Sequence, residues 1–200
     1  LRIKTTMELR WDAAFFTVNE TPVECQVTEI PVFAADLHER GFSRRIDGSP
    51  KAPKTYDYTH VSRNPKWPPM QGRFTRFGDV TELLKADDDF LVVLGSGDEM
   101  TVRFKVPKQP VRPGWKRDFF LKNVGWDKDA NMNTVYGHSS EPLPFRAMKT
   151  YPYPADVSWP NTRQHRQYLK TYPTREQNNS RFWKEIRRSK APAPARSPKE

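Results

Sequence analysis

The chain has 200 residues, of which 36% are hydrophobic and 29% charged, and it carries a formal net charge of +10. This length suits one domain, or one domain with an extension, and can bury a sizeable core. The absence of any long apolar run excludes a membrane-spanning segment in this sequence, and the single cysteine excludes an internal disulfide or a cysteine metal site.

Alternation of apolar and polar residues predicts strands at the start of the chain. Apolar side chains occupy most odd positions from Leu1 to Trp11, and the segment 23–27 alternates again around Cys25. A short apolar run over residues 13–18 predicts another strand between them. Because the chain opens inside a strand pattern, we expect it to be a C-terminal piece of a longer protein.

The next part of the chain shows weaker patterns. Residues 34–40 are predicted to form one or two helical turns, and residues 43–73, which are rich in proline, are predicted to be irregular. The aromatic residues of this irregular stretch are expected to pack over a sheet. Asp79 is a good N-cap residue and predicts a short helix over residues 80–85.

The clearest strands lie between residues 90 and 124. Residues 90–94 and 100–106 are predicted to form a hairpin around a turn at residues 95–98, which contains two glycines. After a link with three prolines, residues 117–124 are predicted to form the next strand. The pattern predicts a mainly β fold: an antiparallel β-sandwich of about seven to nine strands with a few short helices.

A run of candidate cation ligands follows the last predicted strand. It consists of Asp127, Asp129, Asn131 and Asn133. Oxygen ligands at every second residue are typical of a looped calcium site, although an EF-hand loop would have Gly and Glu where this chain has Met132 and His138. The alternative is an Asx-rich turn whose side chains bind their own backbone.

Motifs typical of catalytic sites do not occur in the sequence. The four histidines lack the i, i+4 spacing of a helical metal pair, and no nucleophile elbow, dinucleotide-binding fingerprint or P-loop is found. We therefore predict a protein that is not an enzyme.

The positive charge is concentrated in residues 161–200, which hold 11 Lys and Arg against 3 Asp and Glu, whereas residues 1–160 hold 23 against 21. We therefore divide the chain into a β-sandwich domain, residues 1–160, and a basic, partly helical C-terminal extension, residues 161–200. Helices are predicted near residues 162–170 and 177–189, followed by an extended, proline-rich terminus at residues 191–198.

The extension is a candidate partner-binding surface. Its predicted partner-binding residues are Arg181, Phe182, Trp183, Ile186, Arg187 and Arg188. An apolar stripe at helical spacing is typical of docking on a protein, whereas alternating cations and aromatics also suit RNA. The basic charge itself suggests an acidic protein, an anionic lipid surface or a phosphate backbone as partner, and a merely solvated extension is the alternative.

Several phrases of the sequence together resemble a known family. The most telling are Gly-Trp-Asp-Lys-Asp at 125–129, Glu-Pro-Leu-Pro-Phe at 141–145 and Tyr-Pro-Tyr-Pro at 151–154. Further resembling phrases lie at residues 2–12, 35–38, 40–43, 75–81 and 97–99. The family comprises the C-terminal regions of large bacterial exported proteins with FG-GAP (VCBS-type) propeller repeats and an ASPIC/UnbV segment, relatives of cartilage acidic protein.

The resemblance covers about residues 1–175, and it implies a periplasmic or extracellular module attached to, or derived from, a propeller protein. It brings over no catalytic residue, and relatives often have glycine at the position of Ala130, which weakens an inherited cation loop.

Three functions remain open from the sequence. The first is a non-catalytic extracytoplasmic binding or assembly module, as a subunit of a larger complex or the C-terminal part of a propeller protein. The second is a nucleic-acid-binding protein of a ribosome-like assembly, suggested by the pI of about 9.8. The third is a carbohydrate- or cofactor-binding sandwich that uses Trp67, Trp115 or Trp126.

Overall fold

The computed structural model describes residues 16, 18, 24–49, 55–65, 67–108, 110–128 and 135–189. The predicted strand at residues 1–11 and most of the one at residues 13–18 lie outside this part of the chain.

Seven strands, two α-helices and one 3₁₀ helix form the regular structure of the described residues. In chain order they are β1 (Val32–Glu39), β2 (Phe42–Ile46), β3 (Thr55–Ser62), β4 (Gly72–Phe74), β5 (Gly78–Asp79), the 3₁₀ helix (Thr81–Leu84), β6 (Asp98–Phe104), α1 (Arg163–Thr171), β7 (Arg175–Gln177) and α2 (Ser180–Ser189). All strands pair antiparallel, which confirms the predicted mainly β class with a few short helices.

The largest sheet has the strand order β5-β1-β6. In its register Ala35 lies opposite Val102 and Leu37 lies opposite Met100. Because side chains alternate between the two faces of a strand, these four residues share the face that packs into the core.

Two smaller sheets complete the β structure. β2 and β3 form a hairpin, and β4 pairs with β7, which lies about one hundred residues later in the chain, with Arg73 opposite Glu176. The β4–β7 pair joins the predicted C-terminal extension directly to the body.

The core lies between the main sheet, the 3₁₀ helix and α1. Its buried residues are Ala35, Leu37, Val80, Leu83 and Tyr168. The Tyr168 hydroxyl donates a 2.6 Å hydrogen bond to the Leu91 carbonyl, and burial raises the pKa of this phenol well above its ordinary value.

The division at residue 160 stays a prediction, because it concerns whether residues 1–160 fold without residues 161–200. In the structure α1 contributes Tyr168 to the core, and α2 contributes Phe182, which is buried as well. Both predicted helices of the extension are present. The second starts at Ser180 rather than near residue 177, because residues 175–177 pair as β7.

None of the helices in the described part of the chain combines the length and apolar character needed to cross a bilayer.

Two predictions for the first half of the chain are wrong. Residues 34–40 form most of β1 instead of helical turns, because this segment pairs with β5 on one side and β6 on the other. The stretch 43–73, predicted to be irregular, contains most of β2, all of β3 and the start of β4. Tertiary pairing outweighs the weak local preferences at both places.

Three predicted strands are also absent. Residues 24–27, 90–94 and 117–124 contain no strand in the structure, although the predicted turn at residues 95–98 and strand β6 are present. β6 pairs with β1 and not with residues 90–94. Val93 of that segment is bonded to Thr75: the Thr75 amide donates to the Val93 carbonyl (3.0 Å), and the Val93 amide donates to the Thr75 hydroxyl (2.8 Å). The predicted short helix near 80–85 is the 3₁₀ helix. Its N-cap position is Val80 rather than the predicted Asp79. The Asp79 carboxylate accepts from the Thr81 hydroxyl and from the Thr81 amide (2.9 Å), which lowers the pKa of the Asp79 carboxyl.

Candidate interaction surface

The most exposed apolar part of the described structure is an extended segment without regular secondary structure. We name residues 117–126 the apolar arm. Its apolar side chains are Phe119, Phe120, Leu121, Val124 and Trp126, and all are more than half exposed, with Phe120 at 96%. Exposed apolar side chains grouped in one segment are typical of an interaction site.

The arm joins the body at its C-terminal end. The Trp126 ring lies 6.3 Å from that of Tyr151, and the Lys128 ammonium lies 5.2 Å from the same Tyr151 ring. The Lys128 ammonium also donates to the Glu141 carbonyl (3.4 Å), and burial lowers the pKa of this lysine. These contacts hold the base of the arm, while Phe119 to Val124 extend into solvent.

The surroundings of the arm are basic. Four cations, Arg112, Lys116, Arg117 and Lys122, lie within or just before it. The carboxylates are Asp118, which pairs with Lys116 at 3.1 Å, and Asp127, which directly follows the arm. An apolar surface bordered by cations favours a partner whose docking site is apolar and bordered by carboxylates.

Helix α2 presents a second candidate surface. Of the residues predicted to bind a partner, Phe182 is buried inside the chain, Trp183 is 45% exposed, and Ile186 is half-buried. The rings of Phe182 and Trp183 meet edge-on at 5.1 Å, and Arg181 pairs with Glu185 at 3.2 Å.

Arg187 is exposed and donates a 3.2 Å bond to the Trp183 carbonyl. Arg188 lies in the last turn of α2, and its side chain is outside the described part. Among the predicted partner-binding residues whose side chains are described, Arg181, Trp183 and Arg187 are the exposed ones.

The candidate calcium ligands fall mainly outside the described residues. Asp127 is exposed at the end of the arm, whereas Asp129, Asn131 and Asn133 are not described. Within the described ranges no group of three or more His, Cys, Asp or Glu side chains is arranged to hold a metal ion. The calcium site stays a prediction from the sequence.

We expect millimolar calcium to raise the melting temperature of the chain if this loop binds the ion, because a ligand of the folded state stabilises it. Asp129→Ala should abolish the increment, and magnesium at equal concentration serves as the ionic-strength control. An unchanged melting temperature in calcium would contradict the site and leave the Asx-rich turn.

Three of the described histidines, His38, His60 and His165, have side-chain neighbours that explain them structurally. His165 lies with Nε2 3.4 Å from Asp89 and Nδ1 2.7 Å from Thr162, between the rings of Phe90 and Trp159.

The other described histidine contacts lie at the surface. The ring nitrogens of His38 lie 3.2 Å from carboxylates of Asp36 and Glu99. His60 lies 2.6 Å from Asp57, whose pKa falls to about 2, chiefly because the Thr59 hydroxyl and amide donate to it. These are carboxylate pairs at sheet surfaces, and the Thr59 hydroxyl lies 3.1 Å from His60 Nδ1 while it donates to Asp57.

The three tryptophans considered for a carbohydrate or cofactor site lie in different surroundings. Trp67 is 69% exposed, Trp126 belongs to the arm, and Trp115 is half-buried beside the Arg112 guanidinium, 5.3 Å from its ring centroid.

The arm was not predicted as a surface, because residues 117–124 were predicted to form a strand. A signal was present in three consecutive apolar residues, Phe119 to Leu121, which cannot all face one side of a strand. Prolines at 107, 110 and 113 also separate this segment from β6.

No protein-family model, curated protein or solved structure matches the chain.

Proposed function

We propose that the chain is a non-catalytic binding or assembly module outside the cytoplasm, either a subunit of a larger complex or the C-terminal part of a propeller protein. The observation that carries the proposal is the exposure of the apolar arm, whose Phe120 is almost fully accessible. The family resemblance in the sequence supports the extracytoplasmic compartment and the neighbouring propeller.

The arm can contribute to binding affinity through the apolar area that a partner would cover. Moving a Phe or Leu side chain from water to a buried position contributes about 1.5–3 kcal/mol. Phe119, Phe120 and Leu121 together therefore offer several kcal/mol to a partner that covers them. Association also orders the arm and costs entropy, so this gain supports a specific contact only if the partner fits the side chains closely.

The cations of the surface have a different role, which is to set the association rate and the choice of partner. Those around the arm and on α2 lie on exposed side chains, where single ion pairs contribute little to affinity. They raise the association rate with an acidic partner and select against basic ones. The proposed partner is therefore a protein with an apolar site bordered by carboxylates.

Nucleic-acid binding is the second candidate, supported by the 11 Lys and Arg of residues 161–200. Salt separates the two functions, because binding to phosphates weakens steeply with salt concentration, whereas burial of apolar side chains does not.

Site-specific photocrosslinking tests the proposal. A photoreactive phenylalanine analogue replaces Phe120 in the full chain, expressed in the cells that produce it. The matched control carries the analogue at Tyr58, which is 69% exposed on β3 and lies outside the arm. We expect position 120 to crosslink to one protein, or to a preceding domain of its own longer chain, and position 58 not to do so.

One double variant and a change of salt concentration sharpen this experiment. Phe119→Ser with Leu121→Ser should strongly reduce the adduct at position 120, and high salt should leave it largely intact. Equal labelling from positions 58 and 120 would contradict the proposal. A nucleic-acid adduct that disappears in high salt would favour the second candidate.

A further inference from the structure

Strand β6 forms one edge of the main sheet. Among the described strands it pairs with β1 alone, in the order β5-β1-β6. An edge strand presents a row of backbone donors and acceptors that can pair with another chain. Proteins commonly guard such edges with lysine or proline, and the segment Asp98–Phe104 contains neither.

The backbone of β6 directs specific groups to this outer edge. The Ala35 carbonyl accepts a 3.0 Å bond from the residue after β5, so Asp36 directs its backbone groups the other way, toward β6. Because Asp36 lies opposite Thr101, Thr101 bonds β1, and its neighbours Met100 and Val102 direct their amides and carbonyls outward. Within the described part of the chain no backbone group bonds them there.

The sequence of β6 is complementary to itself in the antiparallel direction. When Thr101 lies opposite Thr101 of a second copy, Met100 lies opposite Val102 of that copy, and Glu99 lies opposite Arg103 of that copy. Hydroxyl, apolar and opposite-charge pairs of this kind stabilise a sheet. A register shifted by one residue would bring Met100 opposite Thr101 and put the apolar sides of the two sheets on different faces.

The hydrogen bonds fit the same register. Met100 and Val102 of the second copy both direct their backbone groups outward, so this pair exchanges two N–H···O=C bonds. The two-fold symmetry of such a contact repeats the pair on the other side of Thr101. Two three-stranded sheets would thereby join into one continuous sheet.

We infer that β6 binds β6 of a second copy of this chain, antiparallel and centred on Thr101, and that the chain thereby forms a symmetric dimer. The edge of β6 is separate from the apolar arm, so the proposed function does not depend on this contact.

The charges select this register but add little to its affinity. Glu99 is 44% exposed and already pairs with Arg40 at 2.9 Å, whereas Arg103 is exposed. A carboxylate accepts from more than one donor, so Arg103 of the second copy can approach Glu99 without displacing Arg40. Exposed ion pairs contribute little, but like charges in these opposed positions would repel. The affinity therefore comes from the backbone bonds and from the contact between Met100 and Val102.

Disulfide crosslinking of the full chain tests this dimer. Cys25→Ser removes the native cysteine, and Thr101→Cys places a new cysteine opposite its own copy. Opposed residues between hydrogen-bonded pairs have Cα atoms about 4.5 Å apart, a separation that a disulfide can bridge. We expect oxidised glutathione to convert most of this variant into a disulfide-linked dimer that a reductant separates.

The matched control is Arg103→Cys in the same Cys25→Ser background. Position 103 is more exposed than position 101, so random collisions would favour crosslinking there. In the dimer it lies opposite position 99, and position 103 of the second copy lies about 13 Å further along that strand. We expect crosslinking at position 103 to be about tenfold slower than at position 101, because a disulfide cannot span this separation.

Analytical ultracentrifugation measures the dimer without a crosslink. We expect the native chain to change from 23.4 kDa to twice this mass as its concentration rises. Arg103→Glu brings like charges together on both sides of the symmetry axis and should weaken the dimer about tenfold. Arg103→Lys keeps the charge and should leave the dissociation constant within about twofold of its native value. Phe120→Ser, on the arm, should leave it unchanged.

Absence of the disulfide at position 101 would overturn the inference, even if the chain dimerised through another surface. Equal crosslinking at positions 101 and 103 would do the same, because it would indicate random collision. A dimer that Arg103→Glu leaves intact would exclude this register. None of these results changes the photocrosslinking expected from Phe120, so failure of the dimer and failure of the proposed function are distinguishable.

Discussion

Arg175→Ala is expected to lower the free energy of unfolding by about 3 kcal/mol, as found when one partner of a buried ion pair is removed. The Asp98 side chain is only 3% exposed, and it accepts hydrogen bonds from the Arg175 guanidinium and from the Gly95 amide (2.6 Å). Alanine at position 175 leaves the carboxylate buried without its cation. It also removes the packing of the guanidinium on the Phe77 ring, 4.2 Å from its centroid.

Urea unfolding measures this loss, and Arg181→Ala is the matched control. Arg181 also pairs with a carboxylate, Glu185, at 3.2 Å, but its side chain is 80% exposed, so we expect a cost under about 1 kcal/mol. Asp98→Asn in the Arg175→Ala background should recover part of the stability, because the uncompensated charge is gone. Equal costs for the two arginine variants would contradict the buried role of the pair.

This ion pair shows why part of the fold could not be predicted from the sequence. Asp98 is recognisable as a turn residue after Gly97. The turn lies where the pattern places it, and β6 spans Asp98–Phe104 rather than the predicted residues 100–106. Its partner lies 77 residues later in a segment predicted to be a separate extension. Local patterns indicate which residues turn or alternate, but they carry no information on which distant residue completes a buried charge.

β1 illustrates a second limit. The sequence Ala-Ala-Asp-Leu-His contains residues that favour a helix as much as a strand, and it was predicted to form helical turns. Its position between β5 and β6 determines its conformation, since both neighbours supply backbone partners. The alternation that buries Ala35 and Leu37 is present in the sequence, but two apolar positions are too few to identify a strand.

The apolar arm illustrates the opposite case, in which strand-forming residues have no strand beside them. Phe119 to Val124 have the composition of a strand and stay exposed without a backbone ladder in the described structure. A strand needs a neighbour for its backbone groups. The composition could therefore be read from the sequence, whereas the exposure that makes the arm a candidate site depended on the fold.

Phe74 is the buried residue of β4. Phe74→Ala should lower the free energy of unfolding by about 3–5 kcal/mol, the usual cost of removing a buried phenylalanine ring. Phe74 is fully buried, and Arg175 lies above its ring with Cζ 5.5 Å from the centroid. A Cβ at Gly95 would stand 3.2 Å from the same ring, so the glycine allows the close approach and no flexible side chain there can fill the cavity.

Phe120→Ala is the matched control for this prediction, since it removes the same ring from a position that is 96% exposed. We expect it to change the free energy of unfolding by less than about 0.5 kcal/mol in urea. The pair of variants separates a ring that stabilises the fold from a ring available to a partner. If Phe120→Ala proved as costly as Phe74→Ala, the arm would belong to the core, and the surface on which the proposed assembly function rests would not exist.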